Sequence, residues 1–398
     1  MIFQNIPPFQ RNIYIILLKI YENILSYKKN IWKQTTKHSG TDTQQKEGGM
    51  KECKEFETFN TQLTAYSGKG VRSDFFKNVL APSWWEKSMS NDRDLTISLA
   101  MIVAKKLGVS LLSLLTPGSN DFLKDAPCAA YKIRANDSAG TMTGTSALLC
   151  ATAKAVLSGI ENQRPIDNDP MIARKEILSS AKFVDLYSLL DFCWAYGIPV
   201  LTMTPTVPGA SETSIAKWHR PDGVVFRHDG KYCIFLPSNK KFQAQHLFYL
   251  AHELGHVALG HLKNEEDFIN DDSITIGSAK GKCEQEANQY AITLLNGNYA
   301  FLPTLSQSID SLVRWAIAEG REHQIDPGHL VLRNANEKST YPLGMAALNR
   351  LNQLTPNEKK KGDRPITLVK SKAYQNLQQE EYSDEQFEQI SQTMNLTV

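Results

Sequence analysis

Apolar residues recur at helical spacing through the first half of the chain. Over residues 95–115 they fall at intervals of three and four, with an interruption at Gly108. This spacing predicts helices there, and a stretch rich in Ala, Ser and Thr over residues 139–157 predicts another. We therefore predict a mostly helical domain over residues 50–170.

The pattern changes after residue 170, where short runs of β-branched and aromatic residues alternate with helical segments. The predicted strands are residues 198–203, 223–227 and 231–236. Asp229-Gly230 lies between the last two, and this pair is a hairpin signal. The predicted helices are residues 184–196, 242–262, 283–295 and 311–321, with one more beginning at Asp326-Pro327. We therefore predict that residues 171–345 form a second domain with a small antiparallel sheet. For the chain as a whole we predict an α+β fold.

The two ends of the chain differ in composition from the parts between them. Residues 1–49 are rich in Asn, Lys and Gln, and codons for Lys46-Glu47-Gly48 can spell a bacterial ribosome-binding site just ahead of Met50. We hypothesise that translation starts at Met50 and that residues 1–49 are a translated leader or a disordered segment. The alternative is an amphipathic helix over residues 12–27. Residues 346–398 are polar and charged, and they predict a C-terminal tail or small appendage.

Bulk composition narrows the class of protein. Hydrophobic residues make up 41% of the 398 residues and charged residues 22%, as in ordinary globular proteins. The formal net charge of +2 does not favour a polyanionic partner, so nucleic acid is possible but not indicated. The six cysteines contain no CxxC pair, which suits a reducing cytoplasm. The apolar run at residues 13–18 is far shorter than the roughly 20 residues of a membrane span, and we predict a cytoplasmic protein without membrane association.

The most informative motif is His252-Glu253-Leu254-Gly255-His256, in the predicted helix at residues 242–262. Two histidines four residues apart on a helix lie about 40° apart, so both imidazoles can bind one Zn²⁺. Glu253 can then act as general base on the water that the metal activates. We predict a zinc metallopeptidase with His252 and His256 as metal ligands and Glu253 as the catalytic base. The alternative is that the histidines lie on a solvated helix face.

A zinc site of this kind needs a third protein ligand. In a continued helix His261 would lie about 180° from the first histidine, so we interpret it as a helix-end residue favoured by the helix dipole. The helix at residues 283–295 offers two carboxylates, Glu284 at about 50° from the centre of its apolar face and Glu286 at about 110°. We predict Glu284 as the third ligand, and Asn288, one turn on, as a hydrogen-bond partner of a ligand.

Longer stretches around the motif resemble the ImmA/IrrE family of metallopeptidases. The resemblance lies in FYLAHELGHVALGHL and CEQEANQYAITLL, with GIPVLTM before them and HQIDPGHLVLR after them. It covers about residues 180–345, is weaker over residues 82–120 and is absent at both ends. It implies a zincin-like domain and a gluzincin-like site, with zinc bound by His252, His256 and Glu284 and with Glu253 as the base.

Peptidases that resemble this chain cleave regulatory proteins, often repressors of stress genes or mobile elements. The resemblance therefore implies limited cleavage of a protein substrate, a transcriptional repressor. Two alternatives stay open: a DNA-binding or sensor regulator with a non-catalytic zinc site, and a proteolytic toxin or antiviral effector. The sequence leaves open the substrate, the oligomeric state and the group that stabilises the oxyanion. Candidates for that group are Tyr290, His323, His329 and Tyr341.

Two further features concern partners. Residues 99–115 resemble part of a helix-turn-helix domain of the phage-repressor type, but no basic recognition helix follows, which favours a plain helical interaction domain. The strand at residues 231–236 is either an edge to which an extended substrate adds or an ordinary covered strand.

Overall fold

A computed structural model of the protein provides the coordinates, and it describes eleven segments of the chain. These are residues 52–67, 80–82, 84–107, 109–119, 130–131, 139–202, 223–263, 268–271, 281–305, 308–354 and 364–394. The leader hypothesis for residues 1–49 and the alternative helix at residues 12–27 lie outside the described residues.

Helices and one sheet make up the described part of the chain, which confirms the predicted α+β class. The helices are α1 (Lys54–Ser67), α2 (Arg93–Leu107), α3 (Leu111–Leu115), α4 (Ala139–Ser158), α5 (Pro170–Leu178), α6 (Leu186–Ala195), α7 (Gln243–Ala258), α8 (Lys282–Asn296), α9 (Ile309–His323), α10 (Pro327–Glu337), α11 (Tyr341–Leu354), α12 (Pro365–Asn376) and α13 (Asp384–Met394). The strands are β1 (Ala130–Tyr131), β2 (Val200–Thr202), β3 (Gly223–His228), β4 (Lys231–Leu236) and β5 (Phe268–Asp271). Among these helices, none is both long enough and apolar enough to cross a bilayer.

The five strands form one mixed sheet in the order β1-β5-β3-β4-β2. β3 and β4 form the predicted hairpin, and both turn residues, Asp229 and Gly230, have positive φ as a two-residue type I′ turn requires. β3 also pairs antiparallel with β5, whereas β2 pairs with β4 and β1 with β5 in parallel. The sheet is therefore mixed, not antiparallel throughout as predicted. Because β4 lies between β3 and β2, the suggestion that a substrate adds to it as an edge strand is wrong.

Helices cover both faces of the sheet. On one face Val225 and Ile234 pack with residues of α6, α7 and α8. On the other face Val224, Phe226 and Phe235 pack with residues of α4, α12 and α13. Since successive side chains of a strand point to opposite faces, burial on both sides explains why β3 and β4 read as nearly continuous apolar runs.

The helices outside these two layers form two further apolar clusters. Phe59, Leu63 and Leu99 belong to a cluster built by α1, α2 and α3. Leu312, Leu330 and others belong to a cluster of α9, α10 and α11 with the N-terminal end of α7. The stretch after residue 346, in which the sequence predicts a polar tail or appendage, contains α12 and α13, whose apolar residues pack on the sheet. The domain boundaries at residues 50, 170 and 345 stay a prediction.

A buried arginine joins three of the helices. Arg174, on α5, is 5% exposed. Its Nη1 donates to the carbonyl oxygens of Leu294 and Leu295 at 3.0 and 2.7 Å, and its Nη2 to those of His323 and Gln324 at 3.0 and 2.9 Å. These carbonyls lie at the C-terminal ends of α8 and α9, where a cation is favoured by the helix dipole. Arg174 therefore fixes the two helix ends against α5.

Candidate metal centre

α7 and α8 bring the three predicted metal ligands together. The Nε2 atoms of His252 and His256 lie 3.1 Å apart. The Glu284 carboxylate lies beside both, with Oε2 3.4 Å from Nε2 of His252 and Oε1 3.7 Å from Nε2 of His256. Nitrogen and oxygen ligands held tetrahedrally at about 2.0–2.2 Å from Zn²⁺ lie about 3.3–3.6 Å from one another. The spacing of the three groups fits a tetrahedral zinc site.

The motif lies in the interior of the molecule. His252 is 1% exposed, and Glu253 and His256 are 0% exposed, so the histidines do not lie on a solvated face. α8 covers them, and Gly255 permits the close approach of the two helices. A β-carbon at Gly255 would come within 3.0 Å of the carbonyl oxygen of Ala287. The glycine within the motif therefore lets α8 come close enough for Glu284 to meet the histidines.

Asn288 fixes the orientation of the first histidine ring. Its Oδ1 lies 2.9 Å from Nδ1 of His252, and both side chains are buried. An amide oxygen only accepts hydrogen bonds, so the ring proton is on Nδ1 and the electron pair of Nε2 points toward Glu284 and His256. The predicted hydrogen bond between Asn288 and a candidate metal ligand is present, with His252 as the donor.

The end of α7 directs another histidine back to the site. The helix stops at Ala258, not at residue 262 as predicted, because Gly260 adopts a left-handed conformation with φ 63°. The amide of Gly260 donates to the carbonyl of Val257 and that of His261 to the carbonyl of His256, which is the Schellman pattern. The turn brings Nδ1 of His261 to 2.8 Å from Nδ1 of His256. His261 therefore lies at the end of the helix, as predicted, and in addition contacts His256.

Glu286 completes a chain of hydrogen bonds to the second histidine ligand. Its Oε2 lies 3.2 Å from Nε2 of His261, and because a carboxylate accepts, that nitrogen carries the His261 proton. Burial lowers the pKa of His261, which favours the neutral ring. His261 Nδ1 then accepts from Nδ1 of His256, whose Nε2 keeps its electron pair. Glu286 thus contacts His261, which in turn contacts the candidate ligand His256. Glu286 is not a member of the group formed by His252, His256 and Glu284.

The proton positions on the two motif histidines bear on whether this centre suits a metal ion. Both His252 and His256 hold their ring protons on Nδ1, away from the point where the two Nε2 atoms and the Glu284 carboxylate meet. Three electron-pair donors therefore converge within 3.7 Å. A divalent cation would stabilise this convergence, and an N₂O donor set of this kind is typical of Zn²⁺.

The predicted catalytic base lies against the first residue of β3. A β-carbon at Gly223 would lie 1.9 Å from Oε1 and 2.8 Å from Cδ of Glu253. Only glycine leaves room for this carboxylate. The sequence pattern identifies Gly223 only as the start of a strand. No local pattern predicts its contact with Glu253, because the two residues are 30 positions apart in the chain.

In the described structure, each of the four candidates for stabilising an oxyanion contacts residues outside the group of His252, His256 and Glu284. Tyr290 donates to the carbonyl oxygen of Asp167 at 3.3 Å, and Tyr341 donates to Asn336 at 2.6 Å. His323 stacks on Tyr299. His329 is fully buried, which lowers its pKa to about 3, and it stacks on the ring of Phe248. In the part of the chain that the structure describes, neither His323 nor His329 belongs to the group of possible ligands formed by His252, His256 and Glu284.

Comparison with known proteins adds one result. Residues 212–319 match the family model of the IrrE N-terminal-like domain, a peptidase family. The matched segment contains β3, β4, α7 and α8, and therefore every residue of the candidate metal centre. No curated protein and no solved structure matches the chain. Residues 212–319 are thus similar to an IrrE N-terminal-like peptidase domain, and this similarity supports membership of the ImmA/IrrE family.

Proposed function

We propose that the protein is a zinc-dependent metalloendopeptidase that makes limited cleavages in a cytoplasmic regulatory protein. The observation that supports this most directly is the convergence of two imidazole nitrogens and a carboxylate, with the buried carboxylate of Glu253 next to them in the sequence. The family match supports peptide hydrolysis. The substrate we propose, a transcriptional repressor of stress or mobile-element genes, follows from the family resemblance.

The chain's own residues suit hydrolysis of a peptide bond. His252, His256 and Glu284 would hold the zinc ion, which would polarise the scissile carbonyl and acidify a water molecule. Glu253 takes the proton of the attacking water and delivers it to the leaving amine, as a general base and then a general acid. Its contact with Gly223 holds the carboxylate in one position, and its complete burial keeps it from bulk water. Asn288 and His261 keep the two imidazoles in the tautomer that binds a metal ion.

The ligand count favours catalysis over a structural or sensor role. Structural zinc sites are normally closed by four protein ligands, whereas catalytic sites use three and leave one position for water or substrate. Within the described residues, the group around the two histidines contains three ligands. A structural site would also have no use for a carboxylate at Glu253.

The test compares Glu253→Gln with the wild type and with Glu337→Gln, a control at an exposed glutamate. We expect Glu253→Gln to bind one zinc and to lose proteolysis by about 10²–10⁴-fold, because the amide cannot accept the proton. Proteomics of cells that carry each variant identifies the substrate as the protein cleaved with wild type and Glu337→Gln but not with Glu253→Gln. Cleavage by Glu253→Gln at the wild-type rate would refute the assigned role.

Chelation separates a catalytic from a structural metal. The centre joins α7 to α8 within an apolar core that includes the sheet, so the fold has support besides the metal. We expect a chelator to abolish cleavage and to leave the circular dichroism spectrum largely unchanged. Global unfolding on chelation would contradict a catalytic site and favour a structural one.

A further inference from the structure

A second group of metal-binding side chains adjoins the first. His261, Cys283 and Glu286 each offer a ligand atom, and these atoms lie within 4.8 Å of one another. The thiol of Cys283 is exposed, and the side chain of Glu286 is 43% exposed, so the group can be reached from solvent. A thiolate, an imidazole and a carboxylate together suit Zn²⁺ and related transition-metal ions. We propose that these three residues bind a second divalent transition-metal ion, and that this ion weakens metal binding at the His252–His256–Glu284 centre.

The first turn of α8 contributes side chains to both groups of possible metal ligands. Cys283 and Glu286 are three residues apart at the start of α8, so their side chains are neighbours on the helix surface. Glu284, between them in sequence, reaches His252 and His256 on α7. The second group therefore needs no rearrangement of α8, and its third member, His261, is already in contact with Glu286 at 3.2 Å.

The two groups share one hydrogen bond, and this bond couples them. Nδ1 of His256 lies 2.8 Å from Nδ1 of His261, a distance that admits one hydrogen atom between the two nitrogens. When Nε2 of His256 is a metal ligand, that hydrogen belongs to His256, and His261 must accept it. The proton of His261 is then on Nε2, the nitrogen that faces Glu286.

A metal ion bound by His261, Cys283 and Glu286 takes the Nε2 electron pair of His261. The ring proton of His261 then moves to Nδ1, and the thiol proton of Cys283 is released to solvent as the thiolate forms. Two N–H groups would now face each other across 2.8 Å, which is repulsive. Metal at one site therefore opposes metal at the other, and this coupling acts equally in both directions.

The binding test uses the full-length protein with one equivalent of zinc, in a phosphine reductant that does not bind metals. Cobalt(II) is titrated in, and the thiolate-to-cobalt charge-transfer absorption is recorded for the wild type, Cys283→Ser and Cys53→Ser. Cys53 is a matched control, since it lies on the N-terminal side of α1 and contacts Thr96. We expect the band in the wild type and in Cys53→Ser and its loss in Cys283→Ser. Absence of the band in the wild type, or its survival in Cys283→Ser, would overturn the site.

The coupling test measures how much zinc the first centre releases to a colorimetric chelator as cadmium is added. We expect zinc affinity to fall by about 5–150-fold in the wild type and in Cys53→Ser, the usual range for coupled sites, and to change much less in Cys283→Ser. Equal release from all three proteins would refute the coupling. A parallel loss of peptidase activity is expected as well, and this last readout alone rests on the proposed function. If no peptidase activity is found, the absorption and zinc measurements still decide the proposal.

Discussion

The carboxylate of Glu253 occupies the space that a side chain at Gly223 would need, so the start of β3 lies against this carboxylate. We predict that Gly223→Ala displaces this carboxylate, because the added methyl group would lie 1.9 Å from Oε1. Activity should fall toward the 10²–10⁴-fold loss typical of a missing general base, while zinc content stays near one. Gly281→Ala is the control, since its φ of −175° is extended and no atom lies within 4 Å of the added β-carbon. Full activity in Gly223→Ala would show that Glu253 does not need this position.

The two glutamates of α8 should differ in their effect on metal binding. Glu284→Ala removes a ligand, and we expect zinc to be lost on dialysis. Glu286→Ala removes only the acceptor of the His261 proton, and we expect at most the 10–100-fold loss of affinity that is usual for partners of metal ligands. Zinc content by atomic absorption and affinity by chelator competition measure both. A variant at Glu284 that keeps zinc better than one at Glu286 would contradict the assignment.

Asn288 should matter for metal affinity although it touches no metal. Asn288→Ala removes the acceptor at 2.9 Å from Nδ1 of His252, so the ring loses the partner that fixes its tautomer and orientation. We expect a 10–100-fold weaker zinc affinity with a small change in the free energy of unfolding. Gln289→Ala, on the exposed side of the same helix, is the control and should leave zinc affinity unchanged. Equal affinities for the two variants would count against the role of Asn288.

Asp326 should make stability depend on pH. Its side chain caps α10 by accepting from the amide of His329, yet burial raises its pKa to about 6 from the ordinary 3.8. The folded protein therefore holds this proton more tightly than the unfolded chain, so the contribution of Asp326 to stability falls as the pH rises from about 4 to 6. Asp326→Asn keeps a good capping residue without the titration. We expect urea unfolding of this variant to depend less on pH in that window, and an unchanged profile would contradict the shift.

Helical geometry made much of the candidate centre predictable. The positions of His252, His256, Glu284 and Asn288 follow from a rotation of about 100° per residue within two regular helices. The hairpin is also predictable from neighbouring residues, because Asp229-Gly230 determines its turn. These predictions depended only on residues that are near one another in the sequence.

The features that local sequence patterns do not predict depend on where helices end and on contacts between distant segments. The helical pattern continues past His261, whereas Gly260 adopts a left-handed conformation that ends the helix and turns the chain back toward His256. The parallel pairing of β2 with β4 joins residues about 34 positions apart, and no local pattern encodes it. The contact of Gly223 with Glu253 is of the same kind, since it needs both the sheet and α7 in place.

The guanidinium of Arg174 has a consequence for how the peptidase should be produced in the laboratory. Arg174 and α5 precede the segment at residues 212–319 that matches the family, yet this side chain binds four carbonyl oxygens at the ends of α8 and α9 within or just beyond that segment. An expression fragment trimmed to the matched residues would leave these helix ends without their cation and would also lose β2 and α6 from the core. Such a fragment should be poorly folded, whereas one that begins before α5 retains them. The folding unit around the candidate metal centre is therefore longer than the segment that matches the family model.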